Sequence, residues 1–156
     1  MHEEEPASAF RFEKRRVEAI VNLSGGDTAR GSLFVAGERV SDLLNQGDGL
    51  FPFEIHTPEG TRTVLYNRSH VVSVSVSDGE AARDPGYAVA KRRDICIVLS
   101  DGRRLRGVVR VYRPEGRDRL SDWARQPETF RYVDTDEGTL LVNAAHIVAV
   151  SEDPLS

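Results

Sequence analysis

The chain contains one cysteine, Cys96, among 156 residues, and it has no long hydrophobic run. A single cysteine excludes an intrachain disulfide bond and is typical of proteins in a reducing compartment. No apolar stretch approaches the ~20 residues that a membrane-spanning helix requires. The first residues are acidic and lack the basic and apolar segments of a signal peptide. We therefore expect a cytoplasmic protein.

Positive charge is also in short supply, because the formal net charge is −4. Proteins that bind the phosphate backbone draw their affinity from lysine and arginine, so this balance disfavours general nucleic-acid binding. The four histidines and the cysteine show no metal-ligand spacing such as HxxxH or CxxC. We expect no metal and no cofactor.

What the chain does contain is a pattern that occurs twice. The second occurrence carries about four extra residues before its helix. Three pairs of motifs show the repetition: Arg39-Val40-Ser41-Asp42 with Arg119-Leu120-Ser121-Asp122, Arg30-Gly31 with Arg106-Gly107, and Asn67-x-x-His70 with Asn143-x-x-His146. Self-similarity of this kind indicates tandem copies of one structural unit. It predicts a lead at 1–15, a first repeat at 16–77, a linker at 78–91 and a second repeat at 92–152.

Each repeat shows the alternating apolar pattern of short strands, as in residues 17–23, separated by glycine-containing turns. Gly31 lies inside a predicted strand, where a glycine permits a bend or a close backbone approach. Val40, Leu43 and Leu44 have the spacing of one helix face, which predicts a short inserted helix. The expected fold is mostly β, with two small five-stranded barrels that each carry one short helix.

Two motifs carry a family resemblance. Leu23-x-x-Gly26-x-x-x-x-Gly31-x-Leu33 and Leu99-x-x-Gly102-x-x-x-x-Gly107-x-Val109 resemble the first motif of Sm-like (LSm/Hfq-type) barrels. Residues 66–72 and 142–148 fall where that superfamily has its second motif. The Arg-[Leu/Val]-Ser-Asp helix is similar to a signature of an uncharacterised bacterial family of small domains. The resemblance implies tandem Sm-like barrels that assemble edge to edge into rings.

The paired Asn67/His70 and Asn143/His146 allow two interpretations. Asparagine can read a base edge or a ligand amide, and histidine can stack on a ring. Alternatively, the asparagine occupies a left-handed turn between two strands and the histidine begins the next strand. Occurrence in both repeats favours the turn.

The Ser-Asp pairs allow a similar choice. A catalytic serine needs a base that a third group positions, and no such partner accompanies either copy. We therefore predict no catalytic residue and read these pairs as helix caps. Arg39 and Arg119 are predicted to pair with Asp42 and Asp122.

The aromatic residues Phe51, Phe53, Phe130 and Tyr132 are predicted to form core with Trp123 beneath the inserted helix. A pocket for a partner at Trp123 is the alternative.

Basic residues cluster before the first strand of each repeat, at 14–16 and 91–93, and again at Arg103, Arg104, Arg106 and Arg110. If these residues lie on one surface, they would bind nucleic acid. Interleaved acidic residues favour a solvated or interface-pairing role, because charged strand edges also deter unwanted pairing.

Repeats of about 65 residues bury little surface, so they should pack against each other or against further chains. We therefore predict a non-enzymatic protein–protein interaction and assembly module, which binds itself, another protein, or both. The candidate contact residues are Arg39, Asp42, Arg119, Asp122, Trp123, Asn67, His70, Asn143 and His146. The alternative is single-stranded RNA binding through Arg103, Arg104, Arg106, Arg110 and the Asn/His turns.

Overall fold

A computed structural model describes residues 14–36, 39–47, 49–77, 90–111 and 120–152. The first repeat contains β1 (Lys14–Leu23), β2 (Thr28–Ala36), α1 (Val40–Leu44), β3 (Leu50–Thr57), β4 (Gly60–Asn67) and β5 (Val71–Val76). The second contains β6 (Lys91–Leu99), β7 (Arg104–Val111), α2 (Leu120–Ala124), β8 (Phe130–Thr135), β9 (Gly138–Asn143) and β10 (Ile147–Glu152). The predicted mostly-β content, with five strands in each repeat, is confirmed.

Two boundaries differ from the sequence prediction. The basic clusters at 14–16 and 91–93 were expected before the first strands, but β1 begins at Lys14 and β6 at Lys91. Both clusters therefore belong to strands, because hydrogen bonding to a neighbouring strand, and not local charge, decides where a strand begins. Most of the predicted lead and linker lies outside the described residues.

All strand pairings in the described part are antiparallel and form one sheet, in the order β10-β6-β7-β8-β9-β5-β1-β2-β3-β4. Each repeat supplies five adjacent strands in the same internal order. The repeats join where β5 pairs with β9, from Ser73 opposite Val142 to Val76 opposite Thr139. We call this β5–β9 contact the junction. The sheet is open and ends at β4 and β10, so strand pairing does not show the two closed barrels that were expected.

Glycine sets the contact between the second and third strands of each repeat. β2 pairs with β3 only at Gly31 and Ser32, opposite Ile55 and Glu54. A Cβ atom added at Gly31 would collide with the carbonyl oxygen of Glu54. At Gly107, an added Cβ would lie 2.7 Å from the carbonyl oxygen of Asp134. Of the two possibilities predicted for Gly31, a bend or a close backbone approach, the structure shows the close approach.

The buried side chains form two apolar clusters, and each receives residues from the other repeat. The first-repeat cluster contains Phe130 and Leu141, which belong to β8 and β9. The second-repeat cluster contains Val72 from β5. Because these residues cross the junction, the two cores are coupled. Neither α1 nor α2 could span a membrane, and no other described helix is long and apolar enough to do so.

Candidate assembly interface

Asn67 and Asn143 have the same local role, but only Asn143 also donates hydrogen bonds across the junction. Each asparagine side chain accepts a hydrogen bond from the backbone N–H two residues on, in the 3₁₀ turn before β5 or β10. Asn143 Nδ2 also donates to the carbonyl oxygens of Val71 (2.9 Å) and Arg68 (3.2 Å). Asn67 is exposed at the far end of the sheet.

The predicted left-handed conformation of these asparagines is wrong. Asn67 has φ −82° and Asn143 has φ −78°, both extended. An extended N-cap satisfies a free turn N–H through its side-chain oxygen, so the backbone needs no positive φ.

The two histidines repeat this asymmetry. His146 Nδ1 lies 2.7 Å from Ser100 Oγ, and His70 Nδ1 lies 3.2 Å from Ser24 Oγ. His146 Nε2 also lies 2.8 Å from the carbonyl oxygen of Ser69, across the junction. A carbonyl can only accept, so Nε2 of His146 donates to Ser69. The structure gives the corresponding Nε2 of His70 no hydrogen bond within the described residues.

Three further polar contacts reinforce the junction. Asn45 Nδ2 donates to the carbonyl oxygen of Phe130 (2.9 Å), and Phe130 N–H donates back to Asn45 Oδ1 (2.7 Å). Ser41 N–H donates to the Tyr132 hydroxyl (3.3 Å).

The third contact involves Arg103, which sequence reasoning had grouped with the basic cluster. Arg103 Nη2 donates to Ser73 Oγ (2.8 Å), and its Nε donates to Asp101 Oδ2 (2.9 Å). Arg103 therefore lies at the junction and not with the other arginines of that cluster.

The predicted Arg39–Asp42 pairing is confirmed, but the N-cap of α1 is Arg39, and the Ser-Asp pair lies inside the helix. The guanidinium of Arg39 donates to Asp42 Oδ1 (2.8 Å) and Oδ2 (3.0 Å), and Arg39 N–H also donates to Oδ2 (3.1 Å). The side-chain hydrogen bond from Arg39 lowers the pKa of Asp42, and burial opposes it. Arg119, which was predicted to pair with Asp122, lies outside the described residues. Trp123 is buried, with 2% of its surface exposed.

Sequence reasoning missed the arginine that anchors α1. Arg68 is buried, and its guanidinium donates to the carbonyl oxygens of Leu43 (2.9 Å), Leu44 (3.0 Å) and Leu50 (3.0 Å). It also lies over the Phe51 ring, 5.4 Å from the centroid. These bonds occupy carbonyl groups at and after the helix end, which have no partner within the helix.

Arg131 anchors the end of α2 in the same way, although it does not occupy the position in its repeat that Arg68 occupies in the first. It donates to the carbonyl oxygens of Gln126 (2.6 Å), Trp123 (2.7 Å) and Glu128 (2.7 Å). Burial lowers the pKa of Arg131, and the nearby Glu128 opposes that shift. Because the position equivalent to Arg68 is Ala144, comparison of the repeats gave no signal for either anchor.

A polar cluster on the outer face of the first repeat was also missed. Ser32 Oγ donates to Glu18 Oε2 (2.7 Å), and His56 Nε2 lies 3.1 Å from Ser32 Oγ and 3.2 Å from Glu18 Oε1. The Ser32 hydrogen bond is the largest cause of the lowered pKa of Glu18. Ser32 is fully buried, and His56 contacts both Ser32 and Glu18 through the same nitrogen. A catalytic triad instead uses an accessible serine and a histidine that contacts serine and carboxylate through different nitrogens.

The outer face of the second repeat is basic. Arg104 and Arg106 are exposed on β7, and Arg110 lies opposite the exposed Arg92 of β6. Asp94 is also exposed on this face. Three of the four arginines predicted for nucleic-acid binding are therefore brought together here.

Large apolar side chains are exposed at the two ends of the sheet. Leu50 and Leu65 are each 56% exposed beside the β4 end, and Val148 is 67% exposed on β10. Phe34 is 37% exposed on β2, with the guanidinium of Arg16 5.5 Å from its ring centroid. Exposed apolar residues next to unpaired strand edges are typical of protein-binding surfaces.

Fold and site together define an antiparallel β protein of two repeated five-strand units, joined strand to strand and open at both ends. No protein-family model, curated protein or solved structure matches the chain. The resemblance to Sm-like barrels therefore stays a prediction. Within the described residues, no group of three or more His, Cys, Asp or Glu side chains could hold a metal ion.

Proposed function

We propose that this protein is a non-enzymatic assembly module, built from two Sm-like barrels, that binds protein by adding strands to β4 and β10. Unpaired strand edges present rows of N–H and C=O groups, which form main-chain hydrogen bonds with an added strand. The observation that carries the proposal is the exposure of Leu65 and Val148 on these two edge strands, with the exposed Leu50 on β3 beside β4.

Known protection for strand edges includes lysine, proline, inward-pointing charge and a covering helix. β4 carries one charged residue, Arg62, but its second half carries Val64, Leu65 and Tyr66, and β10 begins with Ile147 and Val148. α1 and α2 lie against interior strands, β2 and β8 for α1 and β7 for α2. Neither edge is therefore covered by a described helix.

The test is the molar mass of the purified chain by light scattering over a range of protein concentrations. The expected mass exceeds the 17.3 kDa of one chain. A Leu65→Lys/Val148→Lys variant is expected to be a monomer, because a charged residue on an edge strand opposes pairing. Phe34→Gln is the matched control, since it removes an exposed apolar side chain from a strand within the sheet. A wild-type chain that stays monomeric at every concentration would contradict the proposal.

A second function, binding of single-stranded RNA, is favoured by the basic face of Arg92, Arg104, Arg106 and Arg110. Such binding rests on phosphate contacts and therefore weakens with salt. The test is fluorescence anisotropy of a labelled 15-nucleotide oligouridine at low and high salt, with Arg104→Glu/Arg106→Glu as the variant. Arg103 is left unchanged because its loss would disturb the junction. If the oligouridine does not bind at low salt, this alternative is excluded.

A further inference from the structure

We infer that the outer face of β6 and β7 binds an extended acidic segment of a partner protein, interrupted by one basic residue. This surface is separate from the β4 and β10 edges, so the inference goes beyond the proposed addition of strands. Alternate residues of β6 and β7, such as Ile95 and Val109, are buried, and the residues between them point outward. We call these outward positions the β6–β7 face: Arg92, Asp94, Cys96, Val98, Arg104, Arg106, Val108 and Arg110.

The matching face of the first repeat is neutralised by its own side chains. Arg16 Nη2 donates to Glu54 Oε1 (2.8 Å), and the Arg16 guanidinium lies over the Phe34 ring. Glu18 accepts a hydrogen bond from Ser32 Oγ (2.7 Å). Charged groups of this face therefore bind one another, which leaves little net charge for a ligand.

The β6–β7 face carries more positive charge than its counterpart. Arg104 stands where the first repeat has Thr28, and Arg110 stands where it has Phe34. Arg92 lies directly opposite Arg110 in the ladder, and like charges in that arrangement repel each other. A carboxylate bound between these two arginines would reduce the repulsion.

Negative charge crosses this face in one row. Asp94 of β6 and Asp134 of β8 both lie opposite Val108, one on each side of β7. This aspartate row falls between Arg106 and Arg110 along β7. A ligand that follows β7 from its start therefore meets two arginines, then the aspartate row, and then a third arginine.

An extended polypeptide can match this order of charges. Side chains on one face of a strand recur every two residues, about 6.8 Å, which is also the spacing of Arg104 and Arg106 along β7. A segment laid along β7 can place acidic residues over the three arginines of that strand and a basic residue over Val108. Arginine and carboxylate form paired charge-assisted hydrogen bonds. The stem of a lysine would lie on the valine while its ammonium group reaches the aspartates.

Single-stranded RNA fits this order less well. Every nucleotide carries a phosphate, so an RNA strand along β7 would place negative charge over Asp94 and Asp134. RNA binding without sequence preference also uses aromatic side chains on which bases stack, and no position of the β6–β7 face is aromatic. The arrangement of charge therefore favours a protein segment.

The test is fluorescence anisotropy of a labelled peptide, Glu-Ser-Glu-Ser-Lys-Ser-Glu, with the full chain at low salt. The Leu65→Lys/Val148→Lys variant is used, so that association at the edges does not affect the result. A control peptide of the same composition, Lys-Ser-Glu-Ser-Glu-Ser-Glu, places a carboxylate over the aspartate row in either direction. The first peptide should bind roughly threefold to tenfold more tightly than the control, from pair energies typical of exposed charges, and salt should weaken its binding.

Two matched variants locate the binding surface. Arg106 and Arg30 are exposed and occupy equivalent positions, so Arg106→Glu and Arg30→Glu change the net charge equally. Arg106→Glu should weaken peptide binding by roughly threefold to tenfold, and Arg30→Glu by less than about twofold. Circular dichroism checks that both variants remain folded.

A charge exchange tests the aspartate row. Asp94→Lys should reverse the preference of the face, so that Glu-Ser-Glu-Ser-Glu-Ser-Glu binds more tightly than the lysine-containing peptide. A purely structural role of Asp94 would weaken binding of both peptides alike, because it involves no contact with the ligand.

Other outcomes overturn the inference. It fails if the lysine-containing peptide does not bind at low salt, or if Arg106→Glu and Arg30→Glu weaken binding equally. Equal affinity of the two peptides of the same composition contradicts the proposed charge match. A labelled oligouridine that binds more tightly than the peptide, and loses affinity in Arg106→Glu, assigns the face to RNA instead. Strand addition is tested separately by the molar mass of the wild-type chain, so either idea can fail alone.

Discussion

The coupling of the two cores predicts that one leucine substitution has very different effects in the two repeats. Leu141 and Leu65 occupy the same position on β9 and β4, but Leu141 is fully buried and Leu65 is 56% exposed. Leu141→Ala should cost about 2–5 kcal/mol, the range for buried leucines that leave a cavity. Full burial of a leucine contributes about 1.5–3 kcal/mol, so Leu65→Ala, with less than half of that burial, should cost about 1 kcal/mol.

The assay is urea unfolding at a low protein concentration, where association between chains does not add to stability. With a urea m-value of about 2 kcal/mol/M, Leu141→Ala should lower the unfolding midpoint by roughly 1–2.5 M at unchanged m. Fluorescence of Trp123, the only tryptophan, reports the second repeat, and circular dichroism reports all strands. The two transitions should coincide because Leu141 packs in the first-repeat core.

Two results would refute this reasoning. Equal costs for Leu141→Ala and Leu65→Ala would show that the junction does not bury its leucine more deeply than the free edge does. Separate transitions for the two probes would show that the repeats unfold independently. At higher protein concentration the cost of Leu65→Ala should grow, because association then buries Leu65.

Three further predictions concern single residues. Gly31→Ala should destabilise the protein by more than about 2 kcal/mol, because the new Cβ collides with backbone, whereas Gly25→Ala, with nothing within 4 Å of its Cβ, should be nearly neutral in the same urea assay. Arg68→Met should lower the thermal midpoint, since it removes the donor of three carbonyl groups, at a cost of about 1–3 kcal/mol for the buried carbonyl of Leu44; an unchanged midpoint would show that α1 needs no anchor. The pKa of Asp42 is lowered by Arg39, so the stability this pair adds is present above the unfolded pKa and is lost as pH falls through the folded pKa. Asp42→Asn should therefore lower stability at neutral pH and reduce its loss under acid, as measured by urea midpoints across pH; parallel acid profiles for the variant and the wild type would contradict this.

The amino-acid sequence by itself determined the local structure and its repetition. Period-two apolar residues in β1, the Gly26 turn and the Val40–Leu44 helix face depend on neighbours in the chain, so they can be predicted without tertiary structure. The sequence also marked Gly31 as a place for a bend or a close backbone approach, and the tertiary contact with Glu54 decided between them. The Arg39–Asp42 pair could be predicted from capping, because the residue before a helix and the third residue of the helix satisfy each other's free polar groups.

Only the tertiary structure decided which strands meet. Strand periodicity gives the face that each side chain occupies and leaves the partner of an edge strand open, so two separate barrels and one continuous sheet were equally compatible with the pattern. Pairing of β5 with β9 placed Phe130 and Leu141 in the core of the other repeat. Arg68 and Arg131 could not be recognised as helix anchors, because the carbonyl groups they bind come close only after the chain has folded. The two repeats have similar sequence patterns. They differ in the hydrogen bonds that they make across the junction and in the residues that each buries in the core of the other.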